Sequence, residues 1–286
     1  MDTPRTVPAL PTPLRTLFEA RVETGSIELP FLPDTPAQVL AACNEEQCDA
    51  KRLADLIQRD QALAGHVLRV SNSAAYAPKE PIVSLQQAVS RLGMGTICEI
   101  ALAVSMKGRV FRVPGYQVKI REMWMHSAMA SCYAKEIARI RRHNVESAFM
   151  GGLLHDVGRP IVMQGFLDVL KGLTDQKAPV KLLESCMDLF HERVGAKLVE
   201  HWSLPPWVRS SIEHHHDYDK AEDYHTEAMT AHLADHLAHW AADEDLTEED
   251  FDADLPVLSD LNIYADELEE LLRRRGEVLE VAEAFL

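Results

Sequence analysis

No stretch of this 286-residue chain is apolar for long enough to span a bilayer. The N-terminal Met-Asp-Thr-Pro-Arg-Thr-Val-Pro also lacks the apolar core of a secretory signal, so export and membrane residence are not expected. Positive charge is scarce. The one compact basic run in the body, Arg139 to His143, is too short to track a phosphate backbone, and the net charge of −16 argues against nucleic acid and anionic membranes as partners. Cysteine is sparse too. Cys43, Cys48, Cys98, Cys132 and Cys186 are odd in number and scattered, which argues against a disulfide framework or zinc knuckle and for reduced thiols in a cytoplasm. No convincing strand alternation occurs, which points to an all-α fold.

What is present is helix after helix, in a chain long enough for one large domain or two small ones. Residues 1–28 are proline-rich, then weakly helical from Leu14 to Val22, and read as an arm or partner-binding segment. From Leu29 onward, Thr35-Pro36, Asp49, Asp60 and Ser84 suit helix starts, and Gly93 suits an end. The polar Ser71-Asn72-Ser73 closes one helix, either as a hydrogen-bonding cluster or as a ligand contact. Pro114-Gly115 marks a boundary between a helical set at 29–113 and a second at 114–242. There, helices are expected over 161–185, with a break at Ala178-Pro179, then over 188–202, and from Pro205-Pro206 to His216. Sixteen acidic residues and three arginines between Asp243 and Leu286 give that extension −13, leaving −3 for the rest. Its Leu268, Leu271, Leu272 and Val278 or Leu279 are anchors for two amphipathic helices.

The chemistry concentrates at Met150-Gly-Gly-Leu-Leu-His155-Asp156-Val-Gly-Arg-Pro160. Asn144 can cap a helix there and Glu146 suits its first turn. Gly158 suits a left-handed residue after its end, and Pro160 would stop it. A His-Asp pair among leucines needs a partner, because an uncompensated buried charge is costly. Other helices supply candidates on apolar or small-residue faces: His126 beside Met123 and Ala130, His191 with Gly195, Leu198 and Trp202, His215 or His216 continuing from Val208 and Ile212, and Asp235 among Ala231, Ala234 and Ala238. Imidazoles with two carboxylates suit a centre of one or two Mn, Fe, Mg or Zn ions, in which a bridging carboxylate and an acidified water can act on a phosphate. Glu122 shares a face with His126, as a further ligand or a solvated charge. His232 and His239 flank Asp235 at −3 and +4 and can support it.

Several texts resemble the HDOD (HD-related output domain) family: Leu63-Ala-Gly-His-Val-Leu-Arg-Val-Ser-Asn-Ser-Ala-Ala-Tyr76, Ile82-Val-Ser-Leu-Gln-Gln-Ala-Val-Ser-Arg-Leu-Gly93, Trp124-Met-His-Ser-Ala, Gly151 to Gly158, His191-Glu-Arg-Val-Gly195, Trp202-Ser-Leu-Pro205, His215-His216 and Leu233-Ala-Asp235. The resemblance spans roughly residues 29–240. It implies a two-lobed, all-helical architecture and a role in bacterial signal transduction through protein partners, or a nucleotide or phosphate ligand, in a protein capable of forming oligomers. It also implies a fold shared with HD and HD-GYP metal-dependent phosphohydrolases, which makes hydrolysis of a phosphodiester the alternative activity, with Asp156 and Arg159 as the catalytic candidates. Carried over, the HD metal ligands are His126, His155, Asp156 and Asp235, and the HD-GYP pattern adds His191, His215 and His216. Two departures weigh against a cyclic-dinucleotide hydrolase. Arg159 stands where active HD-GYP enzymes carry a lysine, and no Gly-Tyr-Pro follows the histidine pair.

Overall fold

The computed structural model describes residues 10–31, 34–43, 49–73, 76, 78–109, 113–173 and 178–285, and among these there is helix and no strand. Helices α2 (Asp34–Cys43), α3 (Ala50–Gln58), α4 (Gln61–Ser71), α5 (Leu85–Leu92) and α6 (Met94–Arg109) pack on one another. The Asp49, Asp60 and Ser84 side chains each accept a backbone N–H of the first turn, as their positions predict. Gly93 ends α5 with φ 84°. Asn72 closes α4 and clamps the following loop: its amide donates to the Leu68 and Ile82 carbonyls, and its oxygen accepts the Ile82 N–H, each at 2.8 Å. Ser73 Oγ donates to the Val70 carbonyl at 2.7 Å, so Asn72 and Ser73 act as a hydrogen-bonding cluster, whereas the Ser71 hydroxyl is buried without a hydrogen-bond partner.

Gly115 turns the chain at φ 86° into the 25-residue α7 (Gln117–Arg141). Around α7 lie α8 (Val145–Leu154), α9 (Gly158–Lys171), α10 (Val180–His201), α11 (Pro206–Glu213) and α12 (His225–Ala242). α13 (Pro256–Asp260) rests on α12, and α14 (Ala265–Arg273) and α15 (Arg275–Ala284) lie along α7. Leu268, Leu271, Leu272 and Val278 are buried, as expected of anchors.

Four sequence expectations are corrected. Residues 10–28 are no loose arm. α1 (Thr12–Glu23) docks on α10, with Phe18 fully buried edge-on to Phe166 and Phe190, and Lys197 and Trp202 bond to the Val22 and Pro30 carbonyls. α10 is one helix from Val180 to His201, because no proline or cap interrupts it after Pro179. α11 ends at Glu213, so His215 and His216 lie in the bend that follows. Finally, Cys98 is disulfide-bonded, whereas Cys132 and Cys186 are free and buried. No helix among the described residues is long and apolar enough to cross a membrane.

Candidate metal centre

Close helix approach builds the site. Asn144 caps α8, its side chain accepting the Ser147 N–H, and Glu146 lies in the first turn, as expected. Gly151 and Gly152 let α8 press onto its neighbours: a Cβ on Gly151 would lie 2.9 Å from Ser211 Oγ, and one on Gly152 would lie 2.7 Å from the Ala130 carbonyl oxygen of α7. Gly158 does not adopt the left-handed conformation expected of it. It is the first residue of α9, and a Cβ there would lie 2.0 Å from the His191 carbonyl oxygen and 2.8 Å from the Gly195 nitrogen of α10. Pro160 sits in the first turn of α9, where an amide hydrogen has no partner within the helix anyway. Gly152 and Gly158 are there for contact between backbones and Gly151 for contact with the Ser211 side chain, and this close packing carries His155 and Asp156 into the interior.

All seven predicted ligands converge. His126 (α7), His155 (end of α8), Asp156 (the turn before α9), His191 (α10), His215 (the bend after α11) and Asp235 (α12) are buried, and His216 remains 43% exposed. They form two groups. In the first, His126 Nε2 lies 2.8 Å from Asp235 Oδ1 and 3.2 Å from His155 Nε2. In the second, His191 Nε2 lies 3.3 Å from His215 Nε2 and 3.2 Å from His216 Nε2. Asp156 stands between them. Oδ1 is 3.4 and 3.7 Å from His191 and His215 Nε2, and Oδ2 is 3.8 and 3.9 Å from His155 and His126 Nε2.

Hydrogen bonds decide which ring nitrogens are free to bind a metal. His155, His191 and His215 each donate Nδ1–H to a backbone carbonyl, of Gly152, Met187 and Ile212, at 2.7–2.8 Å. The neutral rings of His191 and His215 therefore turn the Nε2 lone pair inward, whereas against its burial the charge of Asp156 and the hydrogen bond to Asp235 push His155 up. Burial, then the Arg159 charge, pushes His191 down to about 3, and burial, then His216, holds His215 well below the usual histidine range. Two lone pairs thus face each other at 3.3 Å, beside Asp156 Oδ1, a buried oxygen without a hydrogen-bond partner. Such a trio suits a cation. Nitrogens 3.2–3.3 Å apart also match two ligands on one ion with bonds of about 2.1 Å. The residues present fit a divalent metal, and His126-His155-Asp235, His155-Asp156-His215 and His191-His215-His216 are each close enough to share one.

The carboxylates are ionised. Burial pushes both up, but Arg159 holds Asp156, and hydrogen bonds from His126 and His155 hold Asp235, well below the usual carboxylate range. Arg159 is itself engaged, with Nε 2.6 Å from Asp156 Oδ2 and Nη1 2.7 Å from Asp188 Oδ1. Glu122 is a solvated charge paired with Lys119.

Sequence reasoning passed over Asp188, although it lies one helical turn before His191, and Glu192, half-buried beside that histidine. Burial, then the charges of Asp156 and Asp217, push the Glu192 carboxyl up to about 7. His232 supports the second group by donating Nδ1–H to the His215 carbonyl at 2.6 Å. His239, 63% exposed, stacks on His126 at 4.3 Å and lies 3.4 Å from Asp235 Oδ1.

The fold recurs in solved structures. One from Shewanella amazonensis SB2B, provisionally called a metal-dependent phosphohydrolase, matches with TM-score 0.73 at 18% identity, covering 96% of this chain and all of that one. Another, from Marinobacter aquaeolei VT8 and provisionally called a signal transduction protein, matches with TM-score 0.69 at 19% identity, covering 96% of this chain and 66% of that one. An uncharacterised protein of Treponema pallidum (strain Nichols) is 25% identical over 205 residues, 69% of this chain, and this chain spans only 39% of that relative's length. Residues 29–218 match the HDOD domain, and with two thirds of its length accounted for in this way the chain belongs to the HDOD family.

Proposed function

We propose that this chain is a regulatory protein of signal transduction that acts by binding a protein partner or a small phosphate-bearing ligand, with a divalent metal held in its His-Asp centre. The observation that carries the metal is the orphaned Asp156 Oδ1 faced by the lone pairs of His191 and His215. Mn, Fe and Zn suit a set this rich in imidazole better than Mg, which favours oxygen ligands. His126, His155, Asp156, His191, His215, His216 and Asp235 would hold it. The regulatory role draws support from the family and from the name of the Marinobacter structure. The engagement of Arg159 also supports it, because a guanidinium paired with two carboxylates has little charge to spare for a reacting phosphate.

One observation favours the alternative, a metal-dependent phosphodiesterase. His216 and His239 are exposed at the edge of the centre, so water and a phosphate can reach it. When bound, a divalent ion would supply Lewis-acid polarisation and an acidified water. Around it, Arg159 orients Asp156, and the Nδ1–H bonds orient the imidazoles.

Elemental analysis of the purified protein, paired with hydrolysis of bis(p-nitrophenyl) phosphate by the same sample, separates the readings. Bound metal without turnover is expected. Mn- or Fe-dependent turnover that disappears in Asp156→Ala would establish the phosphodiesterase instead.

A further inference from the structure

Resting on the reading of the site as a metal centre, we infer that the acidic C-terminal extension positions two of its ligands. Asp260, acting through Tyr218 and His232, locks the bend that carries His215 and His216.

These two ligands stand on irregular backbone. α11 ends at Glu213, and from His214 to Tyr224 there is only one short helical turn, Tyr218–Lys220, before α12 begins. Fixing such a backbone costs about 1–2 kcal/mol per residue in conformational entropy, so the bend holds its ligands still only if it is tied to rigid elements. Its far end is tied by Ser210 Oγ, which donates to the Asp223 carbonyl at 3.0 Å. Asp217 and Lys220 pair with each other at the surface. Beyond His215, the buried side chains of the bend are Tyr218 and Ala221, and of these only Tyr218 carries a polar group.

Three contacts run in series from the extension to the ligands. Tyr218 Oη donates to Asp260 Oδ2 at 2.7 Å, 42 residues further along the chain. The Tyr218 ring meets the His232 ring edge-on, with centroids 5.0 Å apart. His232 donates Nδ1–H to the His215 carbonyl at 2.6 Å. That carbonyl belongs to the peptide joining His215 to His216, so one hydrogen bond orients both. Asp260 is exposed and ends α13, whose Val257 and Leu258 are buried. The extension is moored elsewhere as well, by Leu268, Leu271 and Leu272 and by Arg274, 3.2 Å from Glu136 of α7. The extension can therefore stay docked without the Asp260 bond, whereas the bend loses its link to α13.

The test uses the full chain stripped by chelator. Mn(II) affinity is read by titration calorimetry, and hydrogen exchange over residues 214–224 by mass spectrometry. Tyr218→Phe and Asp260→Leu should each weaken Mn(II) binding about tenfold, the low end for groups that support a metal ligand. Both should speed exchange over 214–224 in the metal-free protein. The double variant should bind no more weakly than either single one, because both remove the same bond. Asp260→Asn keeps an acceptor oxygen and should bind like wild type, a rescue that a general effect of acidic charge would not give. Arg274→Gln, which loosens the extension at another point, should also bind like wild type. If Tyr218→Phe fails to fold, Asp260→Leu carries the test from an exposed position. Wild-type affinity in Tyr218→Phe and Asp260→Leu, additive losses in the double variant, or an equal loss in Arg274→Gln would overturn the role of Asp260 and leave the metal centre standing. Wild type that takes up no Mn(II) would remove the metal centre itself, and the positioning role with it.

Discussion

Gly158 shows how much one missing methyl decides. The first residue of α9 lies directly against the α10 backbone at His191 and Gly195. A Cβ 2.0 Å from a carbonyl oxygen cannot be relieved by a rotamer change, only by parting the two helices. Gly158→Ala is therefore expected to cost about 3 kcal/mol, at the upper end for overpacking, measured by urea denaturation. Because the same contact sets His191 against Asp156, the variant should also bind Mn(II) more weakly than wild type under conditions where both are folded. Sequence inspection singled out the candidate ligands and misread this glycine. Helical periodicity shows which residues face inward, whereas a backbone contact between α9 and α10 leaves no local pattern. The same reason hid Asp188, whose partner Arg159 lies on another helix.

At the scale of elements, two contacts join segments that the sequence read separately. α1 looked only weakly helical, and its mean hydropathy offers little, yet Phe18 inserts fully between Phe166 and Phe190. Phe18→Ala should cost about 4 kcal/mol, seen in the denaturation midpoint, and should make the chain cleavable near Gly25 in limited proteolysis. The second contact ties α6 to α7, where Lys135 Nζ meets Glu99 Oε2 at 2.5 Å with both side chains largely buried. Burial pushes the Glu99 carboxyl up despite the opposing charge of Lys135, a sign of how costly this site is for an ion without its partner. Glu99→Ala strands the lysine and is expected to lose about 3 kcal/mol, whereas Glu99→Met with Lys135→Met should recover most of that. Equal losses in the single and double variants would contradict this account.

Across the whole molecule, the centre draws ligands from α7, α8, α10, α12 and the bends after α8 and α11, so a bound ion cross-links most of the helices around α7. Free Mn(II) at about one hundred times its Kd should add about 2.7 kcal/mol, or roughly 5 °C in Tm for a chain of this size. EDTA should reverse the shift, and Asp156→Ala should abolish it, both readable by differential scanning calorimetry. Composition and periodicity alone determined that the chain is helical, where most caps fall, which leucines anchor the acidic extension, and that His126, His191 and Asp235 lie on inward helix faces, because these depend on neighbours within a turn or two. Family resemblance was equally legible, since its texts are local. Only the tertiary structure decided that the ligands fall into two groups around Asp156, that Arg159 holds one of its oxygens, and that α1 belongs to the body. Those facts depend on distances between residues far apart in the chain, which packing alone sets.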